Sequence, residues 1–281
     1  MSVKTWNGAT ASIATAPDWS PAGPPAIGDI GVISRGAVLA DGMTVDGFTL
    51  RLSGNGIGVA PTLELSGTTL GPRFHVWAIF SGSGGAVPTA AINVNGTDVN
   101  AGQIVAGSAS TTASLQIRLG APTAELVNTG CIQANPGSTT TVDAGQVVNN
   151  GRLVANGGRV ELNTQLTGSG RVIIEHGGTV DAGQIVGRGQ TVLMHGGTLE
   201  LGSPFNFLAT VQDWASGTTL DLLHTHLTSA SVANGVLTLH DGQFTEAQIK
   251  LAGSYASSDF HILNQADGSA LVTTMRSGHF G

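Results

Sequence analysis

One phrase of seven residues occurs three times, with small changes, along the middle of this chain. The copies are Val-Asn-Ala-Gly-Gln-Ile-Val at 99–105, Val-Asp-Ala-Gly-Gln-Val-Val at 142–148 and Val-Asp-Ala-Gly-Gln-Ile-Val at 180–186. Internal self-similarity at a modest spacing is typical of architectures built from stacked units. The second residue of each copy, Asn100, Asp143 or Asp181, is therefore expected at an equivalent place in the fold.

A shorter period divides the same region. Gly151, Gly170 and Gly189 follow one another at intervals of 19 residues. Each of these glycines is followed by a short β-type run, at 152–155, 171–174 and 191–194, and second runs follow Gly-Gly turns at 159–162 and 198–201. Short runs of β-branched residues broken by Gly and Asn are typical of strands and turns. The three phrases recur at about twice this period, so both repeats indicate one structural unit.

The period predicts an all-β protein, specifically a single-stranded parallel β-helix (β-solenoid) with about 19–21 residues per coil. Two or three strands and their turns account for such a coil, and stacking coils at about 4.8 Å buries apolar residues that one coil alone cannot bury. Strands are also expected at 30–34, 48–52, 62–65 and 74–80. A short helix is expected around 245–249.

Composition agrees with a folded repeat protein. Glycine accounts for 42 of 281 residues and charged residues for only 10%, while hydrophobic residues reach 41%. Disordered chains combine low hydrophobicity with high charge, so this chain is expected to fold. Changes in composition divide it into an N-terminal cap with the first strands (1–35), a solenoid (36–204) and a C-terminal β-rich module (205–281), so that both ends are capped.

Charge and cysteine content exclude several functions. The net charge is −7 and the only lysines are Lys4 and Lys250, which argues against a nucleic-acid partner. No apolar run approaches the roughly 20 residues that span a bilayer. Residues 1–15 lack the pattern of an ordinary signal peptide. Cys131, the single cysteine, is expected to be a small buried residue in an apolar stripe.

Both ends resemble segments of secreted bacterial proteins. The N-terminal motifs Trp6-Asn7-Gly8 and Asp18-Trp19-Ser20-Pro21 resemble the openings of autotransporter passenger segments. Residues 213–263, which include Gly-Val-Leu-Thr-Leu at 235–239, resemble a C-terminal module of large secreted β-solenoid proteins, although Ser216-Gly217-Thr218 stands where that module usually has Gly-Asp. The resemblance implies a β-helical protein of the bacterial surface, outside the cell.

Candidate chemistry is sparse. Asn100, Asp143 and Asp181 are interpreted as turn residues rather than as ligands for Ca²⁺ or sugar, because Asx side chains bond the backbone at corners. His176 and His195 are expected to stack, and the imidazoles of His224 and His226 to share a strand face. Neither pair completes a metal site. No catalytic residue, cofactor or metal is predicted. The best enzyme-like cluster has Asp181 near Glu161 and Glu200, with Arg159, Arg171 and Arg188 close by.

The sequence therefore predicts an extracellular structural or adhesive β-solenoid that is not an enzyme. Its expected partner is itself, through end-to-end stacking into a surface or matrix filament, with Trp6, Trp19 and Trp214 as candidate contact residues near the ends. The alternative is a carbohydrate-binding or polysaccharide-degrading β-helix protein with surface polysaccharide as partner. Aromatic residues, which stack on sugars, make up only 5% of the chain, and this disfavours the alternative.

Overall fold

A computed structural model describes residues 2–7, 10–53, 60–80 and 89–275. Gly8 of the N-terminal motif and residues 276–281 of the predicted C-terminal module lie outside this part. The described chain is all-β, as predicted, with thirty strands and three short 3₁₀ helices, at Ala16–Asp18, Pro204–Asn206 and Ser257–Asp259. The region expected to be helical around 245–249 lies inside a strand, so that prediction is wrong: alternate residues there face the core, with period two.

The strands are numbered in chain order. The first fifteen are β1 (Val3–Trp6), β2 (Ala11–Ser12), β3 (Trp19–Ser20), β4 (Ile30–Ile33), β5 (Ala37–Asp41), β6 (Thr44–Val45), β7 (Thr49–Leu52), β8 (Thr62–Ser66), β9 (Thr69–Leu70), β10 (His75–Ala78), β11 (Thr89–Val94), β12 (Thr97–Asn100), β13 (Gln103–Ala106), β14 (Ser114–Leu119) and β15 (Glu125–Asn128). The others are β16 (Cys131–Ala134), β17 (Thr139–Asn149), β18 (Arg152–Asn156), β19 (Arg159–Thr167), β20 (Arg171–Glu175), β21 (Gly178–Ala182), β22 (Thr191–Met194), β23 (Gly197–Leu201), β24 (Thr210–Gln212), β25 (Thr218–Leu222), β26 (Ser229–Ala233), β27 (Val236–Asp241), β28 (Phe244–Leu251), β29 (Phe260–Asn264) and β30 (Ala270–Thr274).

The strands form two long sheets and a narrower third strip. The first sheet has the order β26-β27-β28-β24-β22-β20-β18-β16-β13-β10-β7-β4-β1-β3. The second has the order β2-β5-β8-β11-β14-β17-β19-β21-β23-β25-β30-β29. The third strip joins β6, β9, β12, β15 and the C-terminal ends of β17 and β19. From β4 to β25 every pairing within these sheets is parallel, and the chain visits the first sheet, the second sheet and the third strip in turn.

The distance along the chain between paired residues differs between the two halves. In the central region Cys131 pairs with Arg152, Arg152 with Arg171, and Arg171 with Thr191, so that each step is 19 to 21 residues. Nearer the N-terminus the steps are longer, because His75 pairs with Gln103 and Gln103 with Cys131. The period read from the glycines therefore applies to the centre of the molecule. Parallel pairing also continues to β25, past the boundary expected at residue 204.

The core lies between the sheets and consists of columns of like residues. One column of the first sheet runs through Leu50, Val76, Ile104, Ile132, Leu153, Val172, Val192 and Val211. All eight side chains are buried, and each stacks on its neighbour at the interstrand spacing of about 4.8 Å. A single coil could not bury these side chains by itself, so their burial depends on the neighbouring coils of the stack.

At the ends of the two long sheets the edge strands β3, β26 and β29 pair antiparallel with their neighbours, whereas β2 pairs parallel with β5. At the N-terminus β3 pairs antiparallel with β1, and the rings of Trp6 and Trp19 meet edge to face with centroids 5.0 Å apart. At the C-terminus β26–β28 extend the first sheet and β29–β30 extend the second. The two extensions are tied together where the Leu227 amide donates to Asn264 Oδ1 at 2.9 Å.

Candidate functional site

The three repeated phrases do not occupy equivalent corners. Asn100 ends β12 in the third strip, so the first phrase turns from that strip into the first sheet. Asp143 and Asp181 lie in the second sheet, where Asp143 pairs with Asn163 and Asp181 with Glu161. The expected shared column of Asn100, Asp143 and Asp181 is therefore wrong. The phrase marks a strand–corner–strand segment, but its copies are used at two different corners and in different registers.

Asn100 instead begins a buried ladder of amides inside the corner between the third strip and the first sheet. Its Nδ2 donates to Asn128 Oδ1, and Asn128 Nδ2 donates to Asn149 Oδ1, both at 2.8 Å. Asn149 Nδ2 donates to Gln190 Oε1, also at 2.8 Å. All four side chains are at most 1% exposed. Each amide also satisfies backbone groups that the sharp corner would leave unpaired, and buried polar groups need such partners.

The ladder has a sequence signal that the repeat analysis missed. Each of the three asparagines is followed two residues later by a glycine, at Gly102, Gly130 and Gly151. A Cβ on Gly151 would lie 2.2 Å from the Gly130 carbonyl oxygen, and one on Gly130 would lie 2.1 Å from that of Gly102. Only glycine permits this close stacking of corners, so Asn-x-Gly is the unit that repeats.

Two of the three periodic glycines belong to this stacked corner. A Cβ on Gly170 would lie 2.6 Å from the Gly151 carbonyl oxygen, which continues the column. Gly189 meets the Gly168 carbonyl instead, and Gln190 takes the next column position. The Gln190 side chain turns inward and donates to the backbone carbonyls of Asn149 and Thr167, both at 2.8 Å. Between Asn149 and Gln190 one coil has a glycine at the ladder position, so that coil contributes no side chain to the ladder. Gln190 bridges this gap.

A shallow groove of about 400 Å³ runs along the outside of the same corner. We call it the corner groove; it is lined by Pro72, Ala101, Gly102, Gln103, Thr129, Gly130, Cys131, Asn150, Gly151, Arg152, Ser169, Gly170 and Arg171. Glycines form its floor. Arg152 and Arg171, paired in register on β18 and β20, are exposed and form no ion pair within the described ranges. Cys131 is buried as expected, and burial raises the pKa of its thiol.

The predicted carboxylate cluster is present on the outer face of the second sheet. Glu161, Asp181, Glu200 and Asp221 stand in one column on successive strands, which we call the acid column. Arg159 bridges three of them: its Nε lies 3.0 Å from Glu161, and its Nη2 lies 2.7 Å from Asp181 and 2.6 Å from Glu200.

The electrostatics of the acid column indicate an ion-pair network. Burial raises the pKa of Asp181, although Arg159 opposes the shift. Hydrogen bonding to Glu200 raises the pKa of Arg159 still further, so the guanidinium stays charged. Arg171, expected near this cluster, lies on the first sheet instead, and Arg188 lies in the segment between β21 and β22. A carboxylate pair that performs acid–base chemistry must be accessible to its substrate. Arg159 occupies that space at three of the four carboxylates of the acid column.

The histidines do not form the expected pairs. His176 bonds Asn156 through Nδ1 at 2.8 Å, and it has a left-handed φ of 54°. His195 lies 3.3 Å from Asp213, and His226 lies 3.0 Å from Asp241. His195 follows Met194, which pairs with Ile174, so it stands beside Glu175 rather than His176, and the predicted stack is wrong. Within the described ranges no three His, Cys, Asp or Glu residues are arranged to hold a metal ion.

The tryptophans named as contact residues are buried. Trp6, Trp19 and Trp214 are 2%, 1% and 2% exposed. The Trp19 indole donates to the Ile13 carbonyl at 3.0 Å, and Trp214 packs edge to face against Phe260 with ring centroids 5.1 Å apart. These side chains therefore cannot contact another molecule directly, and they stabilise the two ends from within. The Trp19 indole thus fills volume and still reaches a polar partner, whereas Trp214 Nε1 is buried without a hydrogen-bond partner.

Comparison with known proteins gives no relative. No protein-family model matches the chain, and no curated protein matches it. Among the described residues, the structure has no helix with the length and apolar character needed to cross a membrane.

Proposed function

We propose that this chain is a parallel β-solenoid that acts as a rigid extracellular structural or adhesive scaffold of a bacterial surface or matrix. In this proposal one strand from each sheet and one segment of the third strip make a coil, with 19–21 residues per coil in the centre. The observation that supports it is the continuous parallel pairing from β4 to β25 around one ladder of buried amides. A stack of this kind is stiff because every coil is bonded to both neighbours.

The arrangement of polar groups supports a structural role over catalysis. The acid column is held by Arg159, the amide ladder is buried, and the histidines bond single neighbours. Each polar cluster thus has an internal partner that explains it.

The closed ends bear on how such a scaffold would assemble. The end-to-end stacking expected from the sequence needs open strand edges at both ends. The antiparallel strands β3 and β26–β30 follow the last parallel pairs, and the C-terminal extensions bond each other. At the N-terminal end the edge strands β2 and β3 are only two residues long, and very short edge strands resist the addition of further strands. Self-association of this chain is therefore proposed to be lateral.

Carbohydrate binding is the second candidate, and the corner groove is the observation that favours it. The groove offers two arginines, a glutamine and several hydroxyl groups above a glycine floor. Trp77, which is 38% exposed, lies on the outer face of the first sheet and supplies an aromatic surface. These features suit an acidic glycan lying along the stack.

Electron microscopy and small-angle scattering of the purified protein test the main proposal. Elongated particles, alone or in ordered assemblies, are expected. Compact monodisperse particles that bind polygalacturonate, and release reducing ends from it, would replace the scaffold proposal with the carbohydrate-active alternative. Antibody labelling of intact producer cells tests the surface location, because an internal protein would be labelled only after lysis.

A further inference from the structure

The outer face of the first sheet has an unusual surface for a solvated sheet. Leu153 and Ala155 face the core, so Val154 between them faces outward. Ile173 and Leu193 pair with Val154 in the same outward column. Outward apolar columns are typical of parallel sheets that are covered on both sides. Val154 and Leu193 are 5% and 8% exposed although neither belongs to the core between the sheets, so little of the column itself is open to solvent.

Two cations stand beside this apolar column. Arg152 and Arg171 occupy the position two residues earlier on β18 and β20, one strand apart. One carboxylate, Glu175, lies on the same face at the other side of the column. Within the described chain neither arginine has an anionic partner. The face therefore combines an apolar strip with two adjacent unpaired guanidinium groups, and we call it the basic face.

The outer face of the second sheet has the opposite charge. Its acid column contributes one carboxylate from each of four successive strands, against one guanidinium from Arg159. Asp221, at the end of the column, is outside the reach of Arg159's ion pairs. Thr198 and Thr219 flank the column on the same face and offer methyl groups beside the carboxylates. We call this surface the acidic face.

The two faces have matching spacing because they belong to the same coils. Charges on successive strands of either sheet repeat at the interstrand distance of about 4.8 Å. Two neighbouring arginines can therefore meet two neighbouring carboxylates of a second copy when the stacking axes lie parallel. Opposite charges fix the register of such a contact.

We propose that the basic face of one molecule binds the acidic face of a second copy of this chain. Arg152 and Arg171 meet the neighbour's acid column beside Asp221, the member that forms no ion pair with Arg159. This inference rests on the proposed scaffold function and names its partner. The contact joins two different surfaces, so it does not close on itself and adds molecules side by side in rows.

Charge reversal tests the contact in sedimentation velocity runs over a concentration series. The Arg152→Glu/Arg171→Glu variant makes the basic face acidic. The Thr198→Lys/Thr219→Lys/Asp221→Lys variant makes the acidic face basic and leaves the partners of Arg159 in place. Either variant alone is expected to associate more than ~10-fold more weakly than the original chain, because like charges then face each other. Their equimolar mixture is expected to assemble, because each reversed face has a complementary partner.

The control is Lys4→Glu/Arg35→Glu, which changes the net charge by the same amount on β1 and just after β4, away from the central strands that carry both faces. It is expected to associate like the original chain. Circular dichroism of every variant verifies folding before sedimentation. The inference is overturned if the original chain stays monomeric, if the arginine variant assembles normally, or if the mixture does not recover assembly. A monomer that loses polygalacturonate binding with Arg152→Glu/Arg171→Glu would assign the arginines to a glycan instead. Elongated monomers would leave the scaffold proposal standing while this contact fails.

Discussion

At the scale of single residues, buried polar groups decide how the corners are built. Asp98 on β12 is 0% exposed. Its Oδ1 accepts a hydrogen bond from the Thr68 amide at 2.7 Å, while Oδ2 has no partner. Burial raises the pKa of this carboxyl, because removing water penalises the charged form. The Asp98 carboxyl therefore stabilises the corner through its hydrogen bond, but the burial of its charge is electrostatically unfavourable.

Asp98→Asn should change how stability depends on pH. A carboxyl with a raised pKa in the folded state stabilises the fold fully below the unfolded value of about 3.9, and this contribution is lost as pH rises through the folded pKa. The asparagine keeps an acceptor for Thr68 and carries no charge. We expect the variant to gain on the order of 1 kcal/mol at neutral pH relative to the original chain. Urea denaturation across a pH series measures this, and an unchanged pH slope would contradict it.

Gly151→Ala should destabilise the fold although the change is only one methyl group. The new Cβ would lie 2.2 Å from the Gly130 carbonyl oxygen, which is backbone and cannot move without shifting a coil. Overpacking of this kind costs about 1–3 kcal/mol. Gly202→Ala is the matched control, because its Cβ would meet nothing closer than 3.5 Å. Thermal denaturation of both variants compares them, and equal melting temperatures would show that the glycine column is not required.

At the scale of elements, the amide ladder joins successive strands of the third strip to the first sheet. Asn128 is its central member: it accepts from Asn100, and its Nδ2 donates to Asn149 and also lies 3.1 Å from the Arg152 carbonyl. Asn100 is the terminal member, and its own Oδ1 has no hydrogen-bond partner. The three asparagines thus each donate to the ladder member on their C-terminal side, whereas Gln190 donates back to the Asn149 and Thr167 carbonyls.

Asn128→Ala should cost more stability than Asn100→Ala. The central substitution leaves a buried donor on Asn100 and a buried acceptor on Asn149 without partners, and each such group costs about 1–3 kcal/mol. The terminal substitution leaves the Asn128 acceptor unsatisfied and removes a longer bond, of 3.4 Å, to the Cys131 carbonyl. Guanidinium denaturation of the two single variants gives the comparison. Equal losses would mean that the cavity left by the side chain, rather than the ladder, dominates.

The elements also show what could be predicted from the sequence. The strands at 30–33, 49–52, 152–156 and 171–175 could be predicted from short runs of apolar and β-branched residues, because this local pattern agrees with the burial of these strands in the fold. The helix expected at 245–249 is wrong because alternate residues there face the core, whereas the shared Asx column failed for a different reason. Register is set by corners and inserted segments between strands, and a repeated phrase does not reveal which corner it turns. The Asn-x-Gly motif does identify its corner. The amide ladder needs the asparagine, and the glycine column needs the glycine two residues later.

At the scale of the whole molecule, the stack is held by its interior and closed by its ends. Trp19 is the largest fully buried side chain near the N-terminal end, and it contacts Trp6 and the Ile13 carbonyl. A terminal unit stacks on only one neighbour, so it depends on its own cap. Loss of a cap should therefore loosen the molecule from one end.

Trp19→Ala should raise amide hydrogen exchange in β1–β5 far more than in β18–β22. Removing a buried indole costs about 3–5 kcal/mol, and in a stacked protein this loss falls first on the adjoining strands. Hydrogen exchange read by mass spectrometry resolves the two regions. The corresponding C-terminal change, Trp214→Ala, serves as the mirror experiment and should loosen β25–β30 instead. A uniform increase throughout the chain in either variant would argue that the fold is lost as one cooperative unit.

The central strands pair in a constant register, so the length of the molecule along the stack is set by the number of its coils. Each central step adds 19 to 21 residues to the chain and about 4.8 Å to the molecule, without changing the corner chemistry or the caps. A duplication or deletion of one such segment would therefore alter reach and leave the ends as they are. Variants of this chain with different numbers of coils would therefore be spacers of different lengths.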